Sequence, residues 1–285
     1  MRPVEPAQPA GKRTGAAGSA REKKHEQALA RVVRQARLTA GFFTVLPFSA
    51  SGSLEEVAQA GYLLPVVGAL LGGIEGLVAW GSLRLFGSLT AAAVVLAVAL
   101  LLTGLHHMDG LVDLGDAAMI RGSASRRLES LKDRTAGTGA AGAVLLTYLI
   151  TWTALAGLAE LRPGAAIVSF LIAAEVCARM GLVIAAQASR PSHPGSGSVF
   201  IDSFKGGAGF AALAAAAVIL VLVAIPAGLP PVAASAAGAA LTAVLIAAAA
   251  RRLFGGANGD VLGATVELAR MMSLLAIVLA IKISI

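Results

Sequence analysis

Between Ala91 and Gly139 the chain reads AAAVVLAVALLLTGLHHMDGLVDLGDAAMIRGSASRRLESLKDRTAGTG. An uncharged apolar run gives way at Thr103 to a segment with four aspartates, two histidines and five basic residues, and a second apolar run follows it. About twenty apolar residues cross a bilayer as a helix, so this alternation predicts membrane helices flanking a polar island. The composition extends the reading to the whole chain. Of its 285 residues 57% are hydrophobic and only 14% charged, with a mean hydropathy of +0.80, whereas soluble domains carry about 25% charged residues. The fold class is therefore all-α, a polytopic membrane bundle of about seven transmembrane helices. The expected spans are 61–83, 88–105, 137–158, 164–188, 208–228, 232–250 and 268–285. The shorter run Leu38 to Ala50, broken by Pro47, reads as re-entrant or interfacial.

Residues 1–37 form a separate region, with nine Lys/Arg against three Glu, and this arm supplies +6 of the net charge of +7. The excess of positive charge is thus local and gives no reason to expect nucleic-acid binding. The first twenty residues lack the apolar core of a cleavable signal peptide and read as a disordered arm. From Arg21 to Leu38 the apolar positions Leu29, Val32, Val33 and Ala36 recur at helical spacing among basic residues, the pattern of an amphipathic helix lying on a membrane surface or, equally, of an ordinary solvated helix. Residues 38–285 are the expected transmembrane catalytic domain. Cys177 has no partner cysteine and lies in an apolar run, which makes it a core residue.

Polar loops at 106–136, 189–207 and 251–267 alternate with short connections at 84–87, 159–163 and 229–231. The polar loops hold Arg121, Arg126, Arg127, Lys132, Arg134, Arg190, Lys205, Arg251 and Arg252, against Arg84 and Arg162 in the short ones. The positive-inside rule places the N-terminus and the polar loops in the cytoplasm of a multi-pass protein in a prokaryotic inner membrane.

Asp109, Asp113 and Asp116 fall at i, i+4 and i+7, so a helix through them stacks three carboxylates on one face. Such a face repels itself unless a cation joins it. Mg²⁺ takes one or two carboxylates together with substrate phosphates, which makes a metal site acting on a diphosphate the expected chemistry. Arg126, Arg127, Lys132 and Arg134 follow and suit phosphoryl oxygens, although positive-inside placement accounts for them equally. Lys132, Asp133 and the glycines Gly137 and Gly139 are the stronger substrate-binding candidates, because glycine permits close backbone approach ahead of a helix. In the third polar loop Asp260 and Glu267 are again i and i+7, a second acidic pair able to complete a metal cluster from another helix. Glu175 and Arg179 lie inside the fourth apolar segment at i, i+4, where charge is costly and usually functional. Glu75 in the first segment has no evident partner. His193, in PSHPGSGS, reads as solvated, and the following FIDSFK (Phe200 to Lys205) as a flap over a bulky substrate.

HMDGLVDLGD (His107 to Asp116) followed by LESLKDRTAGTG (Leu128 to Gly139) resembles the signature of the cobalamin synthase family. FFTVLPF (Phe42 to Phe48), GYLLPVVGALLG (Gly61 to Gly72), CARMGLVIAAQASRP (Cys177 to Pro191) and GGANGDVLGATVELA (Gly255 to Ala269) resemble further family blocks in order, so the resemblance covers about residues 38–285. Ala117 stands where many members have glycine after the third aspartate. The resemblance implies a transferase that joins adenosylcobinamide-GDP to α-ribazole, or its 5′-phosphate, with loss of GMP and with Mg²⁺ as cofactor. On it, Asp109, Asp113, Asp116, Asp260 and Glu267 are metal ligands. His107, Lys132 and Arg179 are catalytic, and His106, Arg126, Arg127, Asp133, Gly137, Arg190 and Asn258 contact substrate. His107 poses a geometrical problem, because His106, at i−3, shares the face of Asp109 while His107 points away. The expectation is that the helix begins only after Met108, the alternative being that His107 has a packing role. A CDP-alcohol phosphotransferase would use similar aspartates, but its Asp-Gly, Ala-Arg signature is absent. A transporter would carry its polar residues at the bilayer midplane and show an internal repeat, which this chain lacks. Oligomeric state is left open, with a homo-oligomer among the options.

Overall fold

The computed structural model describes residues 13–48, 50–130 and 136–284. Among them every regular element is helical: α1 Arg13–Phe43, α2 Leu54–Gln59, α3 Leu64–Ser82, α4 Ser88–Leu102, α5 His106–Met119, α6 Ala124–Ser130, α7 Thr138–Leu161, α8 Ala166–Ala188, α9 Ser196–Ser203, α10 Gly209–Ala227, α11 Leu229–Phe254 and α12 Gly259–Ile283. Six of the helical stretches are long and apolar enough to cross a membrane, and a seventh crossing results if α4, which bends by 94° into α5, is counted. At 15 residues α4 reaches only about 22 Å, short of a hydrocarbon core of about 30 Å. The chain turns out of α4 because Gly104 and Leu105 both adopt left-handed backbone, φ 61° and 63°, while Val45 N–H donates to the Leu102 carbonyl and holds the bend. A leucine in that region is unusual, and here it aims α5 across the end of the bundle.

α8 is the central helix, with 72% of its most apolar window inside the protein against 28% for the stretch containing α10. Small residues let α3 lie against it. Gly68, Gly72 and Gly76 recur every fourth residue, and a Cβ on each would fall 2.8 Å from Glu175 O, 2.5 Å from Leu171 O and 2.5 Å from Val168 Cα respectively. Close backbone approach of this kind packs helices within lipid, where no hydrophobic drive separates helix from tail.

Several expectations are corrected. α1 is helical from Arg13 and runs on to Phe43, so residues 13–20 belong to a helix rather than to a disordered arm, and the expected interfacial run 38–50 is the docked end of that helix followed by a short link. Burial begins at Leu38, Thr39 and Ala40, close to the expected boundary, whereas Leu29, Val32 and Val33 stay exposed. The last span starts at Gly259, not 268, because Asn258 caps it: its Oδ1 accepts from Val261 N–H at 3.0 Å. The expected flap is also packed structure. α9 and the π-helical turn Phe204–Ala208 that follows bury Phe200, Ile201 and Phe204.

Candidate active site at one end of the bundle

α5 crosses the end of the bundle at which α8 finishes and α12 begins. Gly110 makes the crossing possible, since a Cβ there would sit 2.6 Å from the Asp260 carbonyl and 3.2 Å from Ala264 N. Asp109 and Asp113 flank that contact on α5, and Asp260 lies in the first turn of α12. Carboxylates about 150 residues apart in sequence are thereby brought close together. Asn258 Nδ2 donates to Asp260 Oδ2 at 2.7 Å and orients it. His193, expected to be solvated and uninvolved, is exposed but comes within electrostatic reach of Asp260.

α5 lies outside the spanning segments, and its half-buried Asp113 has its carboxyl raised to about 6, first by burial and then by the charges of Asp260, Asp109 and Asp116. Between about pH 4 and pH 6 the folded state therefore holds a proton that the unfolded state has released, so stability falls as pH rises through that window and is level above it. Asp113→Asn is expected to melt at a higher temperature than the metal-free parent at pH 7.5 and at the same temperature at pH 3.5. An equal melting temperature for both proteins at pH 7.5 would mean that the carboxylates do not repel.

The other candidates divide into groups. Asp116 closes the N-terminus of α7, its carboxylate accepting from Gly137 N–H at 2.6 Å and Ala140 N–H at 2.8 Å. Gly137 thus serves this helix cap. Arg127 Nη1 donates to the carbonyls of Ala117 and Ala118 at 3.2 and 3.1 Å, completing the C-terminal end of α5, which runs helically through Ala117. Arg190 Nε donates to Gly255 O at 2.7 Å in the pairing of Pro191 with Ala257 that ties α8's end to α12's start. Arg126 is exposed at the same end. Lys132 and Asp133 lie outside the described residues.

Glu267 and Arg179 are found elsewhere. Two helical turns separate Glu267 from Asp260, about 10.5 Å along the axis, and that distance carries it down into the bundle. There Arg270 Nη1 bonds Glu267 Oε2 at 2.5 Å, Arg270 Nε bonds Glu175 Oε1, and Arg179 Nη1 bonds Glu175 Oε2 at 2.5 Å. Arg179 is 1% exposed. The expected Glu175–Arg179 pair is real, but it belongs to a buried network completed by Arg270, which the sequence reading missed. Its only local signal was the i, i+3 spacing from Glu267. Glu75 borders the same small cavity as Glu175 and Arg270.

The helix start expected after Met108 is corrected: α5 includes both histidines from its first turn. His107 is consequently buried, its Nδ1 3.9 Å from Glu267 Oε1. Burial, with Arg179 and Arg270 close by, holds its ring well below the usual histidine range and so neutral. Both histidines line a cavity of about 430 Å³ between the end of α1, α5, α9 and the start of α12, and Asp260 lines it too.

Among the described residues no three acidic or histidine side chains stand in position to ligate one ion. A magnesium site does not need three, because substrate phosphates and water complete its shell. The mutual repulsion centred on Asp113, and hard oxygen donors from two helices, fit such an ion.

The fold and this arrangement define a polytopic membrane protein with a carboxylate-rich site at one end of its helix bundle. Residues 35–278 match the cobalamin-5-phosphate synthase family, and the chain belongs to that family. Relatives named adenosylcobinamide-GDP ribazoletransferase include those of Halorubrum lacusprofundi, 36% identical over 251 residues (84% of this chain, 95% of that protein), and Saccharolobus islandicus, 33% identical over 236 residues (82% and 87%). A third, from Saccharolobus solfataricus, is 38% identical over 167 residues, 58% of this chain and 64% of that one. No solved structure matches the chain.

Proposed function

We propose that the chain joins adenosylcobinamide-GDP to α-ribazole, or its 5′-phosphate, with release of GMP, using Mg²⁺ held by Asp109 and Asp260 together with substrate phosphates, with Asp113 beside them. The observation that carries the metal-dependent reading is the seating of α5 on α12 at Gly110, which gathers these carboxylates beside a cavity. Magnesium, when bound, would neutralise the diphosphate and polarise its phosphoryl oxygens.

The 3′-hydroxyl oxygen of the acceptor bonds to the phosphorus next to cobinamide. The bridging P–O bond breaks, its electron pair leaves with GMP, and the hydroxyl proton must be taken up. His107 is suited to accept it, being neutral and bordering the cavity. Arg126 and Arg190 supply positive charge at the same end for the donor's phosphates. Asp116 and Asn258 position: one fixes α7 against α5, the other holds Asp260. Glu267, its Oε1 3.9 Å from His107 Nδ1, would favour the proton that His107 takes up, while Arg179 pairs with Glu175 in the network beneath.

The basic residues of the α5, α9 and α11–α12 junctions, opposed by few at the other end, favour a cytoplasmic site in a prokaryotic inner membrane. Full-length protein in nanodiscs, given both substrates and Mg²⁺, is expected to release GMP and to stop when the metal is chelated. Release that persists unchanged in excess chelator would remove the metal from the account.

A further inference from the structure

The cavity beside the carboxylates has an uneven lining. Phe42, Phe43 and Phe200 form much of one side, with ring centroids 4.9 Å apart for Phe42 and Phe43, 5.6 Å for Phe42 and Phe200, and 5.7 Å for Phe43 and Phe200. Phe204 packs behind Phe200 at 5.9 Å. The whole chain has only nine phenylalanines, so three on one cavity at the polar end of a membrane protein is a concentration. Phe42 lines the cavity and is 41% exposed. Of the polar lining residues, His106, His107 and Asp260 come from α5 and the start of α12, the side where the other carboxylates stand, and Ser196 comes from the first turn of α9.

The volume decides what can enter. About 430 Å³ lies at the small end of the roughly 300–1,000 Å³ of small-molecule sites, room for a nucleoside but not for a corrin macrocycle with its amide arms. The aromatic side then selects between the two nucleosides of the reaction. Guanine carries donors and acceptors along its pairing edge, and burying them against phenylalanine leaves them unsatisfied. A benzimidazole offers two apolar faces and little else to satisfy, so stacking on phenylalanine accounts for most of its needs.

We propose that this cavity binds the planar apolar base of the acceptor nucleoside, stacked among Phe42, Phe43 and Phe200, so that its ribose points toward His107 and the α5 carboxylates. The proposal rests on the transferase reading and adds the acceptor's seat to it. Stacking of a base on an aromatic side chain is worth about 1–3 kcal/mol, which corresponds to roughly a fivefold to 150-fold change in affinity.

The test is a split in Michaelis constants, measured by GMP release from full-length protein in nanodiscs. Phe200→Ala is expected to raise KM for α-ribazole about tenfold or more and to leave KM for adenosylcobinamide-GDP within about twofold. Phe200 is buried, so Phe42→Ala, at a ring already partly in the open, provides the same comparison without disturbing the core. A rise confined to the donor's KM, or no change in either constant in both variants, would overturn the proposal. Titration of α-ribazole alone into the same nanodiscs separates this inference from the reaction. Binding by the parent that weakens in Phe42→Ala supports the cavity even if no preparation releases GMP. Equal binding by parent and variant removes the cavity even if GMP release is robust.

Discussion

Asp109→Asn and Asp260→Asn are each expected to lower the rate of GMP release by on the order of a thousandfold while leaving the protein folded. The magnitude follows from what the carboxylates are asked to do. The attacked phosphorus belongs to a diphosphate, and its reaction proceeds by positioning and charge neutralisation with little covalent chemistry from the protein. An amide has nearly the shape of the carboxylate but no charge to hold a divalent cation. Asp109 is exposed and Asp260 half-buried, so neither substitution opens the core. The two variants should also fail alike, because Gly110 presses α5 against the backbone of Asp260 and makes one site of two helices. Loss in Asp109→Asn with full activity in Asp260→Asn would confine the site to α5.

Arg270→Met is expected to cost about 3–5 kcal/mol of stability, the range for breaking a buried ion pair from one side, and to show as a large fall in melting temperature in detergent. Arg270 bridges Glu175 on α8 to Glu267 on α12, with Glu75 on α3 bordering the same cavity. Without it three buried carboxylates face Arg179 alone, at a depth where an unpaired charge has no water to turn to. The double variant Arg270→Met with Glu267→Leu removes the i, i+3 pair whole and should recover part of the loss, a coupling that a thermodynamic cycle would measure. A melting temperature unchanged in Arg270→Met would show that the network holds nothing together.

The apolar runs made the helices legible, since length and hydropathy suffice to place most membrane helices within a few residues, the polar first turns of α12 excepted. The stacking of Asp109 and Asp113 was legible for the same reason, as was the return of Asp260 to the same end, because crossings alternate in direction. Helical periodicity, however, reports faces and not depth. Asp260 and Glu267 share a face of α12, yet two turns of rise put one at the end of the bundle and the other in its core. Nor does periodicity name a helix's partner. Glu175 and Arg179 were readable as a pair on α8, but Arg270 reaches them across 95 positions of sequence, through contacts that small residues on several helices permit. The phenylalanine-lined cavity was hidden for a similar reason: Phe42 and Phe200 meet only because α9 packs beneath the end of α1, in a stretch whose glycines and serines read as a loose flap. Asp116 looked like a third ligand until the capped end of α7 appeared beside it.

Binding of Mn²⁺, a paramagnetic substitute for Mg²⁺, to the full-length protein in nanodiscs tests the shared site without relying on turnover. Titration followed by electron paramagnetic resonance should show that the parent, with a non-reacting diphosphate present, takes up the ion, and that Asp109→Asn and Asp260→Asn each bind it at least about tenfold more weakly. Undiminished uptake by both variants would mean that the carboxylates of α5 and α12 do not hold a cation together.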